Sequence, residues 1–202
     1  THLDAFATYP SGGWGYQWVG SPDRGHGPKQ PGGWIYNLLP FIGEEAIHGM
    51  GRGLPQDDML SAIAERNRIP IATFTCPSRR DAKAWPITGS SPHLYQPVNS
   101  GPVTQVARAC YAINAGSVMP ATPSAGPNSV EEAETFAWQD RRDFNGISYQ
   151  RSRVRVRQLI DGQSNTLLAA EKYLFQDNYQ TGADKGDNES MYAGYSIDVN
   201  RF

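Results

Sequence analysis

The sequence predicts an α+β domain in which short helices near the N-terminus pack on an antiparallel β-sheet joined by long loops. Three observations predict it. The chain carries 21 Gly and 15 Pro in 202 residues with only 19% charged residues, which interrupts it too often for a helical bundle. Apolar residues recur at helical spacing near residues 34–42 and 59–64, and short β-rich runs bounded by turn residues follow. Aromatic residues make up 11% of the chain, enough to furnish a packed core rather than a disordered one. The length suits one domain, 1–202, with a Pro/Ser/Gly-rich mobile excursion at 117–133 and a polar tail at 176–202.

The elements follow in order. Residues 12–20 read GGWGYQWVG, and in a strand the alternating Trp14, Tyr16 and Trp18 share one face. A turn-rich loop follows, SPDRGHGPKQPGG. Trp34, Ile35, Leu38, Leu39 and Ile42 then recur at helical spacing, with Pro40 positioned to kink or split the helix. Asp57 and Asp58 are candidate N-caps of a second helix whose buried stripe is Met59, Leu60, Ile63 and Ala64, stopped by Pro70.

Residues 70–77 read as a strand ending at Pro77, and 103–113 as a β-rich run closed by the turn Asn114-Ala115-Gly116. Arg153, Arg155 and Arg157 alternate with Val154 and Val156, the pattern of a half-buried strand with a basic outer face. Asp161-Gly162 marks a tight turn, and Leu167–Leu174 is apolar enough for a central strand or buried helix.

Composition excludes several functions. A net charge of −2 supplies no field to gather nucleic acid, so the arginine strip reads as a solvated face or an inter-subunit contact. No apolar run approaches the roughly 18 residues that span a bilayer. The chain contains no Walker loop, no H-E-x-x-H and no G-x-G-x-x-G after a strand. The nearest approach to a serine elbow, Gly146-Ile147-Ser148-Tyr149-Gln150, fails at its last position. His2, His26, His48 and His93 are scattered. No catalytic residue is expected, and the chain is read as not an enzyme.

Candidate binding residues fall in three groups. Trp14, Tyr16, Trp18 and Trp34 can stack on sugar rings if exposed, or fill the core if buried, and solvent exposure discriminates the two. Asp184, Asp187, Asn188 and Glu189 can supply oxygen ligands for Ca²⁺ from one late loop, or form a solvated acidic loop. No other cofactor is expected. In the third group Asp161, Gly162, Ser164, Asn165 and Thr166 read as a loop staple, and Glu171, if buried, needs an arginine partner from 151–157. Cys76 and Cys110 form either one bridge or two free thiols.

Four segments in this order resemble one family: residues 12–42, FTCPSRR at 74–80, ARACYAINAG at 107–116, and VRQLIDGQSNTLLAAEKYL at 156–174. The family is the domain of unknown function 1559 family, abundant in planctomycete bacteria. Its members resemble type II secretion pseudopilins through a prepilin-type N-terminal helix, and they typically end in a His-x9-Asp-Gly motif. The I-x-DG-x-SNT-LL run from Ile160, followed by Glu171, is the most specific match. Neither the prepilin helix nor the C-terminal motif is in this chain, so it reads as a fragment of a longer precursor. The resemblance also raises the prospect of calcium in the late loop, as in pseudopilins. It implies an extracytoplasmic, non-catalytic surface protein whose partners are pilin-like subunits or itself, with membrane contact only through the N-terminal helix. A carbohydrate-binding module for polysaccharide, using the aromatic cluster, is the alternative; a secreted hydrolase is the third.

Overall fold

A computed structural model describes residues 1–87, 95–119 and 125–202. The described chain is α+β, with short helices and two small sheets joined by long ordered loops. Helix α1 (His2–Phe6) opens with a capping box in which Thr1 and Asp4 bond each other's backbone. Helix α2 (Trp34–Leu38) gives way to a 3₁₀ turn, Leu39–Phe41, at the position where Pro40 removes a backbone donor. A single helical turn, α3 (Glu45–His48), follows. Helix α4 (Gln56–Arg66) has Pro55 at its N-cap, so Asp57 and Asp58 lie in its first turn, where they favour the positive end of the helix. Of its predicted stripe only Ile63 is fully buried.

The strands are β1 (Ala84–Pro86), β2 (Gln105–Ala107), β3 (Tyr111–Asn114), β4 (Ala169–Glu171) and β5 (Asn200–Arg201). β1 and β2 form an antiparallel pair. The second sheet has the order β4-β3-β5. β4 runs antiparallel to β3, with Ile113 opposite Ala169, whereas β5 runs parallel to it, so this sheet is mixed rather than wholly antiparallel.

Three predicted strands are absent. Residues 71–75 make a 3₁₀ turn, Ala72–Phe74, that drops Phe74 into the core. Residues 152–155 are extended and alternate in burial, but what ties them to a distant segment is the Val154 carbonyl accepting from Tyr9 N, while Ser152 and Arg155 bond within local turns, after which Val156–Gln158 turns. The aromatic segment 12–20 bends and turns, with an isolated bridge from Val19 to Ala193. Its glycines explain why. Three backbone segments pack directly on one another here, and a Cβ on Gly194 would lie 2.6 Å from the carbonyl oxygens of both Gly15 and Pro31.

The main core joins Trp34, Ile35 and Leu39 of the first helical region to Ile63, Phe74 and Ile113, and to Met191, Tyr192 and Val199 of the C-terminal segment. That segment is therefore no free polar tail. Met191 N donates to Ala107 O, Gly194 N to Trp18 O, and Ser190 Oγ to Asn67 Oδ1. Nor is the described part of 117–133 loose: Pro127 O accepts the Trp18 indole N–H, and Ala133 packs on Trp14 and Trp18. Arg66 is fully buried between the rings of Tyr36 and Tyr192 and donates to Gly20 O.

Candidate functional site

The segment 160–175 inverts the burial expected from its apolar composition. Gly162 takes φ +82°, a conformation that favours glycine, and opens the 3₁₀ turn Gln163–Asn165. Asn165 Nδ2 donates to Asp161 O at 2.9 Å and Thr166 Oγ1 to Gly162 O at 2.8 Å, so the staple closes on backbone carbonyls. Ser164 is exposed. The strand that follows is an edge strand, because β3 occupies one side of it and β5 lies beyond β3. Alternation then places Lys172 and Leu174 inward and Glu171, Tyr173 and Phe175 outward. Glu171 is half exposed and meets Arg79, at 3.7 Å, rather than an arginine of 151–157.

Arg79 and Arg80, adjacent in sequence, hold this edge in place. Arg79 donates to Cys110 O at 3.2 Å and to Lys172 O at 2.8 Å, clamping β3 to β4. Arg80 and Lys172 both bind the buried carboxylate of Asp187. Lys172 Nζ reaches Asp187 Oδ1 at 2.8 Å and spends its other protons on Gly186 O and Asp198 O, each at 2.9 Å. Arg80 bonds both Asp187 oxygens and adds Ala109 O at 2.8 Å. Burial alone would raise the Asp187 carboxyl, but the Lys172 charge and the Arg80 hydrogen bonds outweigh it and hold it below its ordinary value.

Asp187 is thus committed to two cations, and the four predicted calcium ligands do not gather. Asp184 accepts from Gly186 N at 2.9 Å, while Glu189 turns toward Asp198, whose Oδ2 accepts from Glu189 N at 2.6 Å. Among the described residues no cluster of three or more His, Cys, Asp or Glu could hold a metal ion. The Asn188 Oδ1, Glu189 Oε2 and Asp198 Oδ1 atoms are sealed without a hydrogen-bond partner. Burial, then the neighbouring Asp198 charge, pushes Glu189 well up; burial raises Asp198 to about 6.

The indoles of the aromatic cluster face inward. Trp14, Trp18 and Trp34 are each at most 4% exposed, and donate to Pro28 O, Pro127 O and Val199 O at 2.9, 2.7 and 2.7 Å. Tyr16 is half buried and packs against the cluster of Tyr95, Val103 and Val106. These rings therefore offer no stacking platform for sugars, which corrects the carbohydrate-module reading at this position. Both cysteines are free: Cys110 is buried, and Cys76 Sγ lies 3.3 Å from Ser78 Oγ on the outer side of the turn. Ser148 Oγ has no hydrogen-bond partner, and His2, His26 and His48 pack on Phe6, Phe6 and Tyr36 respectively. His93 lies outside the described residues.

The surface around β4 is open to solvent. Ile160, Leu167, Leu168, Tyr173 and Phe175 are 93, 64, 46, 77 and 63% exposed. Leu168 also borders a cavity of about 240 Å³ between α1, α2 and β3, lined mainly by Leu3, Tyr9, Trp34, Leu38 and Ile113. Residues 1–197, spanning the four signature segments, match the family model described as Protein of unknown function (DUF1559).

The chain belongs to the DUF1559 family.

No curated protein and no solved structure matches the chain. Within this family member, the Ile160–Glu171 run is an exposed turn leading into the edge strand β4, and the CPSRR segment supplies the two arginines that brace it. No helix among the described residues is long and apolar enough to cross a membrane.

Proposed function

We propose that this chain is the globular part of a non-catalytic, extracytoplasmic, pilin-like surface protein, and that it acts by docking further subunits of its own kind along β4. The exposed apolar edge carries this reading. The outer edge of β4, which no strand among the described residues pairs, lies near Ile160, Leu167, Leu168, Tyr173 and Phe175 and offers both backbone groups and apolar area, which a chain acting alone ordinarily shields. Family membership supports it further, through the resemblance of this family to pseudopilins, in which globular domains make lateral contacts on an assembly.

The test is self-association of the purified chain by sedimentation and cross-linking. Wild type should associate with rising concentration, with cross-links mapping to 160–175. Leu167→Asp with Tyr173→Asp should abolish association while leaving the melting temperature nearly unchanged, since both side chains are largely exposed. A chain that stays monomeric at about millimolar concentration, or a double variant that associates as wild type does, refutes the reading.

A further inference from the structure

On a different part of the surface five arginines line one concave groove of about 600 Å³: Arg141, Arg142, Arg153, Arg155 and Arg157. No carboxylate among the described residues lines it. Arg142 is committed to Asp140, but Arg141, Arg153, Arg155 and Arg157 have no carboxylate within ion-pairing distance among the described residues. Arg155 and Arg157 also border the adjoining groove beneath α1, where the one carboxylate, Asp4, is already bonded to the Thr1 amine and hydroxyl. In a chain of net charge −2, a groove that gathers five guanidinium groups, with Asp140 the carboxylate acting on Arg141 and Arg142, is a local reversal of sign.

We infer that this groove binds an acidic glycan through its carboxylate or sulfate groups. Guanidinium forks match planar or tetrahedral oxyanions with paired hydrogen bonds, and all five cations here are arginines. The volume lies within the range of small-ligand pockets, sized for a short stretch of sugar rather than a duplex. The groove floor is the stacked pair Phe144 and Tyr149, whose rings lie 4.8 Å apart at 9° and are both buried. They make the floor rigid but expose no face for stacking nucleobases, which single-stranded nucleic acid requires. An extended acidic peptide would need a strand edge to pair with, and the lining residues 141–158 form 3₁₀ turns and extended coil without a strand. The inference stands apart from self-assembly: it concerns another face and is read on the isolated chain.

The experiment is calorimetric titration of the purified chain with a sulfated oligosaccharide, an oligogalacturonate, a neutral dextran oligomer and a short single-stranded DNA, at about 25 mM and about 200 mM salt. One or both acidic glycans should bind, the two arms distinguishing sulfate from carboxylate, and added salt should weaken binding several-fold. Dextran should not bind, and DNA should bind about tenfold more weakly than the better glycan. Arg153→Gln with Arg155→Gln should reduce affinity about tenfold or more, with an unchanged melting temperature because both side chains are exposed. Arg157→Gln alone gives a second, milder reading, and Arg68→Gln, at an exposed position just beyond α4, serves as the control that leaves binding intact. The inference is overturned if neither acidic glycan binds at the lower salt, if the double variant binds as wild type, or if DNA binds as tightly as the glycans.

Discussion

Replacing Asp187 by Asn removes a negative charge from a place where two buried cations share it. Asp187 and Arg80 have fully buried side chains and Lys172 is 1% exposed. At an effective dielectric of about 20, each cation at contact distance gains about 4 kcal/mol from the carboxylate. Part of that gain is offset by the desolvation of the carboxylate itself, which the neutral amide does not incur. The expected net loss is about 3–5 kcal/mol, the usual consequence of leaving buried charge uncompensated. The amide also turns an N–H₂ donor toward Arg80 or Lys172, both of which only donate. Urea unfolding at neutral pH, followed by tryptophan fluorescence, measures the difference directly. Since the folded Asp187 carboxyl is held below its ordinary 3.8, its contribution is present above that pH and lost as pH falls through the folded value. The gap between wild type and variant should therefore narrow in strong acid. A loss below about 1 kcal/mol at neutral pH would show that the Arg80–Asp187–Lys172 cluster does not hold the C-terminal segment in place.

Other expectations follow from neighbouring features. Asp198, raised from 3.8 to about 6 by burial, prefers its proton in the fold, so its contribution to stability is greatest below about pH 4 and falls as pH rises through about 6. Asp198→Asn should be more stable than wild type at pH 7, and that advantage should shrink as pH falls toward 4; an equal difference at both pH values refutes this. Comparing the two proteins at each pH cancels the opposing contribution of His48, which burial lowers to about 4. Gly194→Ala, pressing a methyl against two backbone oxygens at 2.6 Å, should cost about 1–3 kcal/mol or prevent folding, read as melting temperature, and a neutral result would contradict the three-backbone packing. Thiol titration should find Cys76 reactive in the native protein and Cys110 reactive only on unfolding, whereas a mass two hydrogens short with no titratable thiol would establish the bridge instead.

What the sequence disclosed was largely local. The Trp34–Ile42 helix and its break at Pro40 are legible because spacing and a missing donor act within a few residues. The β-rich run 103–113 is legible for the same reason, although it divides into β2 and β3 of two separate sheets and Asn114 ends β3 rather than opening a turn. Long-range pairing is where the reading fails. Asp187 looks like a solvent-facing acid because its partner Arg80 is 107 residues away, and Lys172 becomes a buried cation only once β4 is placed. Trp14, Tyr16 and Trp18 alternate like a strand, yet glycine-to-glycine backbone contact, invisible in hydrophobic periodicity, bends the segment instead. Leu167 and Leu168 read as core because composition cannot tell a buried strand from an exposed edge that another chain would cover. The doubled arginine after Cys76-Pro77-Ser78 was a usable signal, since adjacent cations in a loop beside an acidic late segment invite pairing.

The central claim is that this protein works outside the cytoplasm as part of a surface assembly. Immunogold electron microscopy on intact cells of the native source, with antibodies raised against the chain, tests it most directly. The account predicts gold on unpermeabilised cells, clustered or aligned along surface structures. Gold that appears only after the cells are opened, dispersed through the cytoplasm, would contradict it.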